Sequence, residues 1–222
     1  MGRHAGWLTA ASTLGKSTEE DGPHLVYVPE KTFNLESFVK EVKEVYESLG
    51  RCLVAVSEGV HDEKGKYFLQ TYAENAGSGL AGKKDSHGNI QLSGSGALGD
   101  TLANIISENI EDARVRADTF GYLQRSFLAD ISEVDADEAE RVGQHAVVAS
   151  KTENSGSIIL KRQLSDKYYC EVGLVGLEKV AKNTKVMPKD FLDENKPYVT
   201  NEFFEYAMPL TGGIEPKTQI FV

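Results

Sequence analysis

Three arginines and one glutamate are the residues of this chain best suited to do chemistry. Arg3 stands just before a run of small residues that reads as a closely packed helix. Arg116 lies within a run that reads as strand, and Arg125 in the loop after it. Arginine grips phosphate through two parallel N–H bonds, and a helix start adds outward-facing backbone N–H groups. Taken singly, each of these arginines is more often a surface ion pair. Their joint placement at predicted strand ends and a helix start raises the odds of a functional role somewhat. Glu58 follows the apolar run Cys52 to Ser57. In parallel sheets ligands bind beyond the carboxyl ends of the strands, so Glu58 is a site candidate on topology alone.

The elements that would position these residues are legible in the pattern of apolar positions. His24 to Val28 has strand length and is stopped by Pro29. Asn34 is placed to cap a helix, with Glu36 in its first turn. Leu35, Phe38, Val39, Val42, Val45, Tyr46 and Leu49 then recur at helical spacing, and Gly50 ends the run. Strand, helix and strand with short connections make a βαβ unit, which predicts two parallel strands. Residues 61–99 are a polar, glycine-rich excursion. Asp100 to Ile110 reads as a helix and Arg114 to Phe120 as a strand. Ala136 to Ala149 reads as another helix, with Asp135 as its cap and Glu138 completing a capping-box-like pair. Ser157 to Leu164 and Lys167 to Val175 read as a hairpin, and the tail carries Pro188, Pro197, Pro209 and Pro216.

Composition removes several function classes. A net charge of −10 argues against a nucleic-acid or anionic-membrane surface. It does not argue against a small anion, which a few local arginines can capture. No apolar run approaches the roughly 18 residues of a membrane span, and no basic-then-apolar leader precedes a cleavage site. Cys52 and Cys170 sit in apolar runs and read as buried free thiols in a reducing cytoplasm. Gly94 to Gly99 matches a dinucleotide-loop pattern, but the run before it is too short and polar for a buried first strand. A glycine-rich helix start explains it better. The five histidines (His4, His24, His61, His87, His145) show no metal-ligand spacing, so no metal site is expected within these residues.

Several short segments, in order, resemble the phosphofructokinase family. Met1-Gly2-Arg3-His4-Ala5-Gly6-Trp7 resembles its Met-Gly-Arg motif, and Val28-Pro29-Glu30 its Val-Pro-Glu. Ser57-Glu58-Gly59 is similar to the segment whose Glu holds sugar hydroxyls. Arg116 matches the arginine that reaches the 6-phosphate from a neighbouring subunit. Gly121-Tyr122-Leu123-Gln124-Arg125 is similar to Gly-His-Ile-Gln-Arg, which binds the 6-phosphate; Tyr122 replaces a His and brings no charge. The resemblance implies that Met1, Gly2, Arg3, Glu58, Arg116, Tyr122 and Arg125 bind fructose 6-phosphate, with Arg3 meeting the phosphoryl group in flight as the one catalytic residue. Leu49-Gly50-Arg51 stands where bacterial enzymes often carry an effector-site lysine pair, so their usual allosteric control is not expected. The longer tail, with Met187-Pro188-Lys189-Asp190-Phe191, looks like the pyrophosphate-dependent branch.

The fold so implied is α/β: a three-layer sandwich with a mainly parallel sheet, plus a C-terminal β-hairpin and an irregular tail. Residues 1–150 would form the sugar-phosphate-binding part, and 151–222 a hairpin and extension packing on the same domain. The implied reaction is phosphoryl transfer to the 1-hydroxyl of fructose 6-phosphate in glycolysis, with pyrophosphate as donor. ATP as donor, and a non-catalytic sugar-phosphate-binding regulatory subunit, stand as alternatives. The family's phosphate loop and its Thr-Ile-Asp-Asn-Asp segment, which carries the base and a Mg2+ ligand, have no counterpart in these residues. The expectation is therefore of a fragment, inactive alone, with Mg2+ held by a missing N-terminal part. A cytoplasmic homo-oligomer is expected, with Arg116 reaching a neighbouring subunit.

Overall fold

The computed structural model describes residues 4–75, 96–121, 126–127, 131–163 and 167–214. The elements in chain order are α1 (Trp7–Ala11) with a 3-10 turn (Ser12–Gly15), β1 (Leu25–Tyr27), α2 (Leu35–Leu49), β2 (Val54–Val56), α3 (Phe68–Asn75) and α4 (Ala97–Asn109). They are followed by α5 (Glu133–Ala149), β3 (Ser157–Arg162), β4 (Cys170–Val175) and α6 (Asn201–Ala207). No helix among the described residues is long and apolar enough to cross a membrane.

The chain divides into two compact units, Met1–Ser126 with Val186–Phe203, and Phe127–Lys185 with Phe204–Val222. These bounds differ from a division at residue 150. Residues 186–203 return to the first unit through specific bonds. Val26 N donates to Pro197 O (2.6 Å), and Lys31 Nζ donates to the carbonyls of Asp193 (2.6 Å) and Lys196 (3.0 Å).

In the first unit, β1 and β2 pair in parallel, with Leu25 opposite Val54 and Tyr27 opposite Val56. Successive strand residues face opposite sides. Leu25, Tyr27, Val54 and Val56 join one core with Phe38 and Val42 of α2, Phe68 and Leu69 of α3, and Leu102, Ile105 and Ile106 of α4. Helix α1 lies against β1 and β2. Leu25, Tyr27, Val54 and Val56 face α2 to α4, and alternation turns Val26 and Ala55 to the other side, so helices flank the sheet on both faces. An aromatic chain runs through the main core, with Tyr27, Phe33, Phe38 and Phe68 at ring separations of 4.7 to 5.4 Å. Such contacts stabilise beyond the area they bury.

Helix α2 forms as its sequence requires. The Asn34 side chain accepts from Ser37 N at 2.9 Å, and Gly50, at φ 68°, closes the last turn by donating to Tyr46 O. A glycine is needed there because other residues resist positive φ. The expected strand at 114–120 does not form. Ala113 and Val115 do turn inward onto the core, which accounts for the alternation. Alternation alone makes no strand, however, because β1 and β2 bond to each other and no strand pairs with 113–120 among the described residues.

In the second unit β3 and β4 form the expected antiparallel hairpin, Ser157 opposite Val175 and Arg162 opposite Cys170. Helix α5 starts three residues before the expected start. Ser132, not Asp135, is its cap: the Ser132 hydroxyl accepts from Asp135 N (3.3 Å) and donates to Leu210 O (2.6 Å). Glu138 does not serve the cap. It is buried and accepts from the Tyr168 hydroxyl at 2.7 Å, tying α5 to the residues before β4.

Replacing Asn34 by Ala removes the α2 cap and leaves Ser37 N without its partner. Urea unfolding should show a loss of about 1 kcal/mol, with Asn34→Asp within a few tenths of the parent protein. An unchanged midpoint for the alanine variant would show that the cap adds nothing.

Candidate active site

The carboxyl ends of β1 and β2 lie side by side, and the segments leaving them are tied together. After β1 the chain turns through Pro29 and Glu30 to Phe33, whose N–H donates to His61 O at 2.8 Å. After β2 it turns at Ser57, Glu58 and Gly59. Ser57 N donates to Tyr27 O (2.9 Å), Gly59 N to Ser57 Oγ (3.3 Å) and Val60 N to Ser57 O (3.2 Å). Ser57 and Gly59 are buried and Glu58 is half-buried. Glu58 therefore sits where sheet topology puts a ligand-binding carboxylate.

Two contacts bring the first residues of the chain to these strand ends. Gly6 N donates to both oxygens of Glu30, each at 3.1 Å. A Cβ at Gly6 would lie 2.4 Å from Val28 Cβ, so only glycine allows the approach. The second contact is a hydrogen bond between His4 Nδ1 and the Tyr67 hydroxyl, at 2.9 Å, with the two rings 6.0 Å apart.

Tyr67 is presented by a tight turn closed by Asp62. The Asp62 carboxylate accepts from Lys64 N (2.9 Å), Lys66 N (3.0 Å) and Thr71 Oγ1 (3.0 Å), and His61 bridges to Tyr67 across it. The Lys66 N–H, first among these, holds the Asp62 carboxyl below the usual carboxylate range.

The site residues expected from the sequence fare unequally. Glu58 is described, at the end of β2. Arg116 is described and exposed in irregular chain, not in a strand; among the described residues it makes no hydrogen bond or ion pair. Met1, Gly2, Arg3, Tyr122 and Arg125 lie outside the described residues. So does the start of the glycine-rich run at 94–95, while Gly96, at φ 70°, does stand at the start of α4. Two residues that tie these segments together carry no site signal of their own in the sequence: Glu30 and Tyr67. Their partners lie 24 and 63 residues away in sequence, beyond any local pattern. Among the described residues no three His, Cys, Asp or Glu side chains come together as metal ligands, so no donor set for Mg2+ is assigned here.

The family model described as phosphofructokinase matches residues 1–150. The chain belongs to the phosphofructokinase family. A pyrophosphate–fructose 6-phosphate 1-phosphotransferase of Rhodospirillum rubrum is 47% identical over 213 residues, covering 96% of this chain and 51% of the relative. An enzyme of the same name from Xanthomonas campestris is 33% identical over 217 residues, 97% of this chain and 49% of the relative. The crystal structure of a pyrophosphate-dependent phosphofructokinase from Marinobacter aquaeolei superposes with a TM-score of 0.74 at 26% identity, over 97% of this chain and 47% of that one. This phosphofructokinase-family chain thus spans about half the length of the curated relatives it matches.

The depressed Asp62 carboxyl makes the turn that carries Tyr67 acid-sensitive. A carboxyl lowered on folding adds stability above its unfolded value, near 4, and loses it as pH falls through the folded value. Amide exchange at Lys66 should therefore accelerate on acidification below about pH 4 relative to α2 amides. Asp62→Asn should remove that extra dependence, and an Asp62→Asn profile identical to the parent's would rule the carboxylate out as its source.

Proposed function

We propose that this chain supplies the fructose 6-phosphate-binding part of an enzyme that moves a phosphoryl group from pyrophosphate to the sugar 1-hydroxyl, giving fructose 1,6-bisphosphate. The observation that carries the reading is the 47% identity along almost the whole chain to a relative named for that reaction. The placement of Glu58 at the end of β2 is what a sugar-holding carboxylate requires.

Phosphoryl transfer forms a bond from the sugar C1 oxygen to phosphorus and breaks the bond to the bridging oxygen of pyrophosphate. The protein's task is positioning and charge compensation. Glu58 accepts from sugar hydroxyls and fixes the ring. Arg125, with Tyr122, holds the 6-phosphate by charge-assisted hydrogen bonds, while Met1 and Gly2 bring backbone close to the sugar. Arg3 meets the charge on the transferring group. Magnesium would supply charge neutralisation at the pyrophosphate oxygens, and no described residues form a donor set that would hold it.

Arg116 completes the phosphate site from a second copy of the chain, a role that suits an exposed guanidinium with no partner of its own among the described residues. We assign sugar-phosphate binding to residues 1–150. A glycolytic role in the cytoplasm fits both free cysteines. Burial pushes the Cys52 thiol up to about 11, which leaves it inert near neutrality.

In the full-length protein, a coupled assay should show fructose 1,6-bisphosphate formation with pyrophosphate and none with ATP. Arg125→Ala and Arg116→Ala should each raise the KM for fructose 6-phosphate, the former on the order of a hundredfold. Turnover with ATP alone would overturn the donor. Sugar-phosphate binding by calorimetry without transfer from either donor would mark a non-catalytic subunit, and no binding at all would sink the reading.

A further inference from the structure

The amino ends of β1 and β2 meet through a histidine ring. His24 and Leu53 stand one residue before the paired Leu25 and Val54. His24 N donates to Leu53 O at 2.8 Å, as in an ordinary ladder. The return bond is different. Leu53 N donates to the imidazole Nδ1 of His24, also at 2.8 Å, so a side chain takes the place of a main-chain acceptor. The other ring nitrogen, Nε2, lies 3.0 Å from Glu20 O.

Both partners have fixed roles. A backbone N–H only donates and a carbonyl only accepts. Nδ1 must therefore be bare and Nε2 must carry the proton, which defines one neutral tautomer. A second proton would go to Nδ1, the vacant position, and would set one N–H against another at Leu53.

The ring also joins the sheet to the loop at residues 16–23. Arg51 Nη2 donates to the same Glu20 carbonyl at 3.1 Å. Gly22 lies on Leu53 so closely that a Cβ would be 2.5 Å from Leu53 Cδ2. Asp21 closes the loop by accepting from Ser17 N (2.8 Å) and Thr18 N (2.9 Å). Lys16 anchors its far end, donating to Pro23 O (3.2 Å) and standing 4.8 Å over the Tyr198 ring. The titratable and charged groups around the imidazole are thus Lys16, Glu19, Glu20 and Asp21 on the loop, Arg51 and Cys52 before β2, and Tyr198 beside Lys16. Burial pushes the Cys52 thiol up to about 11 and the Tyr198 hydroxyl up to about 12. The Ser17 N–H holds the Asp21 carboxyl below the usual carboxylate range. None of these three changes charge between about pH 5 and 8, where histidine does.

We propose that His24 is a proton-sensitive latch: neutral, it holds the loop at 16–23 to the first rung of the sheet, and protonated, it lets go of the Leu53 N–H so that the loop loosens from β2. The bond is present above the histidine range and lost as pH falls through it. The latch lies at the amino ends of the strands, away from the carboxyl ends where the ligand is proposed to bind, so it does not rest on the proposed reaction.

Amide exchange in the full-length protein tests this, with each rate corrected for its intrinsic pH dependence. From about pH 7.5 to about pH 5.5 the Leu53 amide should lose protection about tenfold, as expected for one hydrogen bond. The Ser57 amide, bonded to Tyr27 O at the other end of the strand pair, should keep its own. His24→Asn offers Leu53 an amide oxygen near the position of Nδ1 and has nothing to titrate, so Leu53 should stay protected throughout. His24→Ala removes the acceptor and should leave Leu53 poorly protected throughout; it carries the test if asparagine does not fill the place. Imidazole nitrogen NMR should find the neutral ring protonated on Nε2.

Level protection of Leu53 over this range in the parent protein would overturn the latch. So would a fall of equal size in either variant, which would place the sensitivity in another of the groups named above. A neutral ring protonated on Nδ1 would overturn it as well.

Discussion

The parallel pairing of β1 with β2 is the constraint on which the first unit depends. Parallel strands cannot be joined by a tight turn, so the chain must cross over, and α2 is that crossover. The crossover makes the two strands end on the same side. Pro29-Glu30 and Ser57-Glu58 therefore leave the sheet next to each other, although 28 residues separate the two glutamates (58 − 30). An antiparallel pair would have sent them to opposite ends. The apolar cost of holding two short strands is met on both faces by helices, with Phe33 and Phe38 packed edge-on against Tyr27 beside the strand end itself.

Short strands give few ladder bonds, so the strand ends need extra support, and it comes from side chains and loops. The Phe33 to His61 bond ties the two exit loops, and the Asp62 turn stiffens the second. Residues 186–203 add a third support through Pro197 O at β1 and through the carbonyls that Lys31 gathers. The second unit uses the same device on a smaller apolar core. Arg162 stacks on Tyr168 and Tyr206 and donates to Tyr206 O, while Arg141 donates to Cys170 O.

What the sequence disclosed follows from the range of each interaction. Helix α2 was legible end to end because its caps and its apolar stripe lie within the helix itself. The βαβ order was legible because it needs only three adjacent segments. The 113–120 segment misled because inward alternation is necessary for a strand but pairing is what makes one. The start of α5 was misplaced because Ser132 and Asp135 both suit a cap, and the choice turned on Leu210, 78 residues away. The bond from Met187 N to Glu30 was invisible for the same reason: Met187 lies 157 residues along the chain. A motif is enough to nominate Glu58 as a candidate, whereas Glu30 and Tyr67 act through contacts between distant segments that leave no local signal.

A last consideration concerns charge. A chain with net charge −10 would have to keep its carboxylates from repelling the doubly charged sugar phosphate proposed as its ligand. Two glutamates stand at the strand ends where the ligand is proposed to sit. Glu30 is turned to internal use, its charge spread over the Gly6 and Met187 N–H dipoles. Glu58 is the carboxylate proposed to accept from the sugar hydroxyls, which welcome an acceptor. Exposed Arg116 adds a cation unneutralised by any described neighbour. Sorting of this kind lets local geometry override whole-chain charge, because interactions between exposed charges fade beyond about 8 to 10 Å at physiological salt.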